Sequence, residues 1–263
     1  MAGYSNFANK SFTIMDKKPG DYLIGKLALA PLRQSPSELA ELESQVLFGE
    51  KVIVHQKGIG DWIKVQSIND HYTGWTDQKM FETTDMEQGN YLLIEPIAAI
   101  QTEKNYSWLP FGSFISEDIV RLNTKNQFTL VGQKNTLNIK ELALTFLGVP
   151  YLWGGKSVLG IDCSGFIQLI FNAKGIQLAR NANQQAEAGE VIPYMNRQTG
   201  DLAFFKTTSN KISHVGIVID DLIIHAHGEV RMDPLWSEGI FNTDKNLISH
   251  QLVGIKRIKQ LTL

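Results

Sequence analysis

Apolar and polar positions change rhythm twice along the chain. Between about Tyr22 and Phe81, short β-type runs (Tyr22–Ala30, Glu50–His55, Trp62–Gln66, Gly74–Thr76) are separated by Gly58, Gly60 and Asn69-Asp70. Short strands at such close spacing predict a small barrel or sandwich. Glu and Leu at helical spacing over Ser37–Ser44 suggest a short helix or a loop insertion. The texture returns from about Asn90 to Gln133, in Tyr91–Ile94, Ala98–Gln101, Ser107–Leu109, Gly112–Ile115 and Phe128–Val131, and predicts a second small β module. After Thr136 the pattern becomes mixed α/β: Ile139–Leu147 reads as an amphipathic helix closed by Gly148, with Pro150 beyond its end. The expected division is therefore 1–86, 87–135 and 136–263.

In the segment 161–175, Phe166, Ile167, Ile170 and Phe171 lay an apolar stripe along one face of a helix. Gly175 suits a left-handed cap at its end and Asp162 an N-cap at its start, which puts Cys163 at or near the first helical position. Cys163 is the only cysteine, so an internal disulfide framework and a multi-Cys metal site are both excluded. A lone cysteine is ordinarily a buried small hydrophobe. This one has a position with chemical meaning. Thiolate is the reactive form, and a free thiol titrating near ~8.5 is only slightly ionised at neutral pH. Unpaired N–H groups at a helix start favour the anion, as does a neighbouring imidazolium. Ser164 and Gly165 are small enough to let a substrate approach.

A base for that thiol is found downstream. Leu202–Lys206, His214–Ile219, Leu222–His227 and Gln251–Ile258 read as strands, and Asp220-Asp221 fits a two-residue hairpin turn between the second and third. That turn would pair Ile219 with Leu222, Gly216 with His225 and His214 with His227. Side chains alternate with period two, so His214, Gly216, His225 and His227 share one face. Nucleophilic catalysis asks for a base beside the thiol and a third group to orient it. His214 suits the base. His225 and His227 both suit the orienter, and periodicity does not choose between them.

Composition narrows the function further. A net charge of −2 offers no broad electrostatic grip on nucleic acid or an anionic membrane, so any ligand is expected in a shaped pocket. The N-terminal residues have neither the basic start nor the apolar run of a secretory signal, and no stretch approaches the ~20 apolar residues of a transmembrane helix. A cytoplasmic location is the expectation, although a chain with its leader removed would read the same.

Several motifs now stand in order: Pro150-Tyr151-Leu152-Trp153-Gly154-Gly155, Asp162-Cys163-Ser164-Gly165-Phe166, Gly200-Asp201-Leu202-Ala203-Phe204-Phe205, His214-Val215-Gly216-Ile217 and Ile224-His225-Ala226. Together they resemble the catalytic domain of the NlpC/P60 cell-wall peptidases, a pared-down papain fold. The resemblance implies Cys163 as nucleophile, His214 as general base, His225 as the orienting third residue and Tyr151 as an oxyanion-hole donor. The other reading of Tyr151 is a wedge packed against Trp153. Where the family usually shows Arg-Asp, this chain has Arg180-Asn181.

The front half also carries a resemblance. Leu29-Ala30-Pro31-Leu32-Arg33, Glu41 to Gln45, Phe48-Gly49-Glu50, Trp62-Ile63-Lys64-Val65 and Tyr72-Thr73-Gly74-Trp75 are similar to a bacterial SH3-like module. The expected architecture is thus α+β: two small SH3-like β-barrels followed by a papain-like domain. That pairing resembles γ-D-glutamyl-L-diamino acid endopeptidases acting on murein peptides with a free N-terminal L-Ala. It implies that Glu41 and Tyr72 help bind the amine, with Asp162 and Ser164 contributing from the catalytic side. Arg180 and Lys156 are candidates to meet substrate carboxylates. A monomer is expected, with a murein peptide as partner and no metal or organic cofactor. The rival functions are an amidase or acyl transferase of the same fold, and a wall-binding protein without catalysis.

Overall fold

The computed structural model describes residues 16–85, 87–101, 106–123, 129–131, 138–206 and 211–259. The N-terminal segment before Asp16, Phe128, Gln133 and the 135/136 boundary lie outside the described residues.

The front module is one antiparallel sheet of seven strands: β1 (Tyr22–Gly25), β2 (Leu29–Arg33), β3 (Leu42–Leu47), β4 (Lys51–Lys57), β5 (Trp62–Ser67), β6 (Thr73–Asp77) and β7 (Phe81–Thr83), in the order β3-β2-β6-β5-β4-β1-β7. Alternate residues of these strands, among them Leu23, Ala30, Leu32, Val52, Val54, Ile63 and Val65, fill its core. The Tyr22–Ala30 run is two strands rather than one. Gly25 bonds back to Glu50 and Lys26 to Met80, so the chain turns out of register between them. Ser37–Ser44 is not a helix either: a loop held by Arg33, which donates to the Ala40 carbonyl and pairs with Glu38, leads into β3.

The middle module comprises β8 (Tyr91–Leu93), β9 (Ile97–Gln101), β10 (Tyr106–Pro110), β11 (Phe114–Ile115), the short helix α1 (Glu117–Leu122) and β12 (Leu130–Val131). Its strands form two small sheets, β9 with β10 and β8 between β11 and β12, around Leu93, Ala98, Ile100, Leu109 and Ile115.

The third module opens with α2 (Ile139–Leu144), capped by Asn138, and reaches Gly148 through further turns. The helix is shorter than its periodicity suggested. The hairpin β13 (Lys156–Ser157) and β14 (Gly160–Ile161), then α3 (Cys163–Ala173) and α4 (Ala182–Gln185), precede the second large sheet. Its strands are β15 (Glu190–Ile192), β16 (Leu202–Lys206), β17 (His214–Ile219), β18 (Leu222–His227), β19 (Glu229–Trp236), β20 (Gly239–Asn242) and β21 (Leu247–Arg257). They run β15-β21-β16-β17-β18-β19-β20, and β20 also pairs with β21, so β16 to β21 close into a ring. The apolar runs of the central strands follow from burial on both faces. Leu202, Phe204, Val215 and Ile217 pack toward α2 and α3, while Ala203, Phe205, Val218 and Ile223 build a separate core. Among the described residues no helix is long and apolar enough to cross a membrane.

The front sheet is joined to the third module by polar groups as well as apolar ones. Lys156 Nζ makes a buried ion pair with Glu50, at 2.9 and 3.0 Å, and its backbone N–H donates to Gln45 at 2.7 Å. Gln168 on α3 donates to Asp70 at 2.9 Å. Gly154, with φ +74°, lies so close to β3 that a Cβ there would sit 2.3 Å from the Leu42 carbonyl oxygen.

Candidate active site

Cys163 is the first residue of α3, and Asp162 caps it by accepting from the Gly165 N–H at 2.7 Å. The thiol is 7% exposed and takes hydrogen bonds from the backbone N–H groups of Ser164 and of Val215, the residue after His214. Helix start and strand start are thereby brought together. A helix-start position favours a thiol shifted toward its anion. In the folded protein burial, reinforced by the adjacent Asp162 charge, pushes Cys163 up to about 12. Burial, with His225, His250 and His227 around it, pushes His214 well below its ordinary value. These shifts leave the resting groups at neutral pH as a thiol and a neutral imidazole. The helix-end effect is worth only about 0.3–1 kcal/mol and does not outweigh desolvation of a buried anion.

The hairpin has the expected turn, with Asp220 at φ +56° and Gly216 paired to His225. Gly216 is required there, because a Cβ would approach Ile223 to 2.7 Å and the Ile224 carbonyl oxygen to 2.8 Å. His214 Nε2 lies 2.8 Å from His225 Nδ1. His227 is the more exposed ring, and its centroid stands 6.5 Å from that of His214. The geometry that periodicity left open thus joins His214 to His225. A further imidazole, His250 at the front of β21, stacks on His214 with centroids 4.4 Å apart and planes at 28°. Burial and the neighbouring histidines lower it to about 4, and Ser249 Oγ contacts its Nδ1 at 2.9 Å. His225 Nε2 reaches Asp233 on β19 at 3.0 Å. Among the described residues no three such side chains are disposed to hold a metal ion.

Tyr151 is half-buried, and the Cys163 and Asp162 charges are near enough to act on its hydroxyl. Burial foremost, then those charges, raise its pKa, so it remains a proton donor at any working pH. Trp153 is 59% exposed and stands out from the surface.

Asp162, Ser164 and Arg180 form one buried network. Arg180 Nη1 and Nη2 grip the Asp162 carboxylate at 2.9 and 2.5 Å, Nη1 reaches Ser164 Oγ at 2.9 Å, and Nε reaches Ser44 Oγ on β3 at 3.0 Å. This corrects the expectation that Arg180 and Lys156 meet substrate carboxylates. They are 1% and 5% exposed, and each is spent on an internal carboxylate. Asn181 stands at the N-cap of α4 without a side-chain cap bond, and the partner of Arg180 is Asp162.

The front module carries a cleft that touches the third module at Gln184. It measures about 400 Å³ and is lined by Gln34, Glu43, Lys64, His71, Tyr72 and Thr73 of the front module and by Gln184 beside the catalytic elements. Tyr72 packs partly on the front core and hydrogen-bonds Glu43, and burial together with that carboxylate pushes its hydroxyl up to about 12. Burial and the charge of Glu41 raise Glu43 in turn. Glu41 itself is exposed, just ahead of β3. The carboxylate facing Tyr72 is thus Glu43, which the sequence reading passed over.

Comparisons with known proteins bear on the family and the fold. The NlpC/P60 family profile matches residues 148–250, and that of the bacterial dipeptidyl-peptidase Sh3 domain matches residues 32–79. A γ-D-glutamyl-L-lysine dipeptidyl-peptidase of Bacillus subtilis is 32% identical over 206 residues, 68% of this chain and 69% of the relative. Its Bacillus cereus namesake is 30% identical over 244 residues, covering 76% and 72% of the two chains. The crystal structure of an NlpC/P60 family protein from Bacillus cereus superposes with a TM-score of 0.71, at 23% identity, over 90% of this chain and 99% of that one.

Proposed function

The chain belongs to the NlpC/P60 peptidase family, with a bacterial SH3-like domain in front, and from that premise we propose that it hydrolyses the γ-D-Glu–diamino acid bond of murein peptides bearing a free N-terminal L-Ala. The observations that carry this reading are a helix-start cysteine, a bonded histidine pair, and a front-module cleft lined by Glu43 that reaches the third module at Gln184 of α4.

Cys163 is the nucleophile. As its sulfur bonds to the γ-carbonyl carbon, the thiol proton passes to His214, which is neutral and so ready to accept it. The carbonyl π electrons move onto oxygen, where the Tyr151 hydroxyl donates to the developing oxyanion. Collapse of that intermediate breaks the C–N bond, and His214 returns its proton to the leaving amine. Water then attacks the thioester with His214 again as base, releasing the γ-carboxylate and the free thiol. The substrate ammonium is held by Glu43, with Glu41 adding charge and Tyr72 fixing the carboxylate. Asp162 and Ser164 act one step back: bound to Arg180, they set where α3 begins.

The test is mass spectrometry of L-Ala-γ-D-Glu-L-Lys and its diaminopimelate counterpart, each with a free and an acetylated N-terminus. Wild-type protein is expected to release L-Ala-D-Glu from the free peptides alone, and Cys163→Ala to release none. Glu43→Gln is expected to raise KM with little change in kcat. Equal cleavage of acetylated peptide would remove the amine reading while leaving the peptidase. Cleavage by Cys163→Ala would remove the nucleophile.

A further inference from the structure

The line of bonded groups that begins at His214 continues past His225. His225 Nε2 meets Asp233 Oδ2 at 3.0 Å, and Asp233 is 1% exposed. Arg231, two residues earlier on β19, donates from Nη2 to Asp233 Oδ1 at 2.9 Å and places Nε 2.8 Å from Oδ2. Arg231 Nη1 also reaches the exposed Asp244 at 2.6 Å. We propose that Asp233 is a positioning residue that fixes the ring tautomers of both His225 and His214, and thereby which nitrogen of His214 is left to take the thiol proton. The inference rests on the reading of Cys163 as nucleophile and His214 as base.

Donors and acceptors along the relay fix the tautomers. An ionised carboxylate only accepts, so His225 Nε2 carries the hydrogen of its bond to Asp233. A neutral imidazole has one N–H, so His225 Nδ1 is then an acceptor. Its partner at 2.8 Å is His214 Nε2, which must donate. The unprotonated nitrogen of His214 is therefore Nδ1, the one not engaged by His225. Asp233 stays ionised despite its depth. Burial raises its proton affinity, but the bonds from His225 and Arg231 outweigh that and hold it below the usual carboxylate range. The groups facing this relay are His214, His227, His250, Arg231 and Lys245 on the cationic or ionisable side. Asp233, with Asp244 behind Arg231, is the counter-charge for the imidazolium formed during attack.

Asp233→Asn tests this sharply. An amide has one oxygen, whereas His225 Nε2 and Arg231 Nη2 aim donors at both carboxylate oxygens. If the amide N–H turns to His225, that ring must protonate at Nδ1, and His214 must turn its lone pair to His225 and away from the thiol. A wrong tautomer on a base held directly by an acid costs up to ~10⁴ in kcat; one ring further removed, we expect about 10–100-fold, with KM within twofold. Ring ¹⁵N shifts of the wild-type protein are expected to report Nε2–H for both His214 and His225, and a changed His225 in the variant. Wild-type His225 protonated at Nδ1 overturns the proposal, even if Asp233→Asn fails to fold. So does a folded variant whose kcat falls less than threefold. The Cys163→Ala assay is read separately: activity there would sink the catalytic reading, whereas loss there without loss in Asp233→Asn would sink only this inference.

Discussion

Replacing Arg180 with Met is the perturbation whose cost the structure specifies most directly. Met keeps much of the bulk and removes four donated hydrogen bonds, two to Asp162 and one each to Ser164 and Ser44. Asp162 then remains as a buried carboxylate with the Gly154 and Gly165 N–H groups but no counter-charge. Removing one partner of a buried pair typically costs about 3–5 kcal/mol, and the surviving backbone donors argue for the lower end. At roughly 2–4 °C per kcal/mol for a chain of this size, Tm should fall by about 6–12 °C. Adding Asp162→Asn should recover part of the loss, because Asn still caps α3 and leaves no stranded charge. Thermal unfolding followed by circular dichroism, on both single variants and the double, supplies the measurement. A Tm within about 2 °C of wild type in Arg180→Met, or strictly additive losses in the double variant, would refute the reasoning.

Two further outcomes follow from the site. Tyr151→Phe should lower kcat by about 10²–10³ with little change in KM, the usual cost of one oxyanion donor; a loss under threefold would return Tyr151 to a packing role. Alkylation of Cys163 by iodoacetamide should rise about tenfold per pH unit from pH 7 to 10, since burial raises the thiol and only thiolate reacts. A plateau between pH 5 and 8 would instead reveal a thiolate held by an imidazolium.

The parts of this protein that were legible in its sequence are those with a strong local rule behind them. The 3.6-residue stripe of Phe166, Ile167, Ile170 and Phe171 with Asp162 before it defines α3 and puts Cys163 at its start. The two-residue turn at Asp220-Asp221 fixes the pairing of Gly216 with His225, and with it the imidazole face. Strand β19 was missed, because Pro234 and a charged residue at a core position break the period-two pattern. That charged residue is Asp233, whose burial depends on His225 and Arg231 and cannot be read from local alternation. His250 escaped for a similar reason. It belongs to β21 but reaches His214 only because β20 and β21 close the ring. Glu43 was overlooked beside Glu41 because Ser37–Ser44 reads from sequence as a helix or loop, whereas Glu43, Ser44 and Gln45 are consecutive polar residues of β3.

That polar triplet also ties the front module to the third one. Two of the three side chains find partners across the module boundary, Ser44 in Arg180 and Gln45 in the Lys156 N–H, while Glu43 bonds Tyr72 within the front module. Arg180 holds the cap of α3, so one residue of the front sheet is a single bond removed from the group that sets the position of Cys163. Buried polar contacts of this kind add little net stability but tolerate few alternative geometries, because each unsatisfied group costs about 1–3 kcal/mol. An apolar interface of equal area could slide; this one is registered by its hydrogen bonds. Through Ser44 and Gln45, β3 and with it Glu43 are fixed relative to the start of α3.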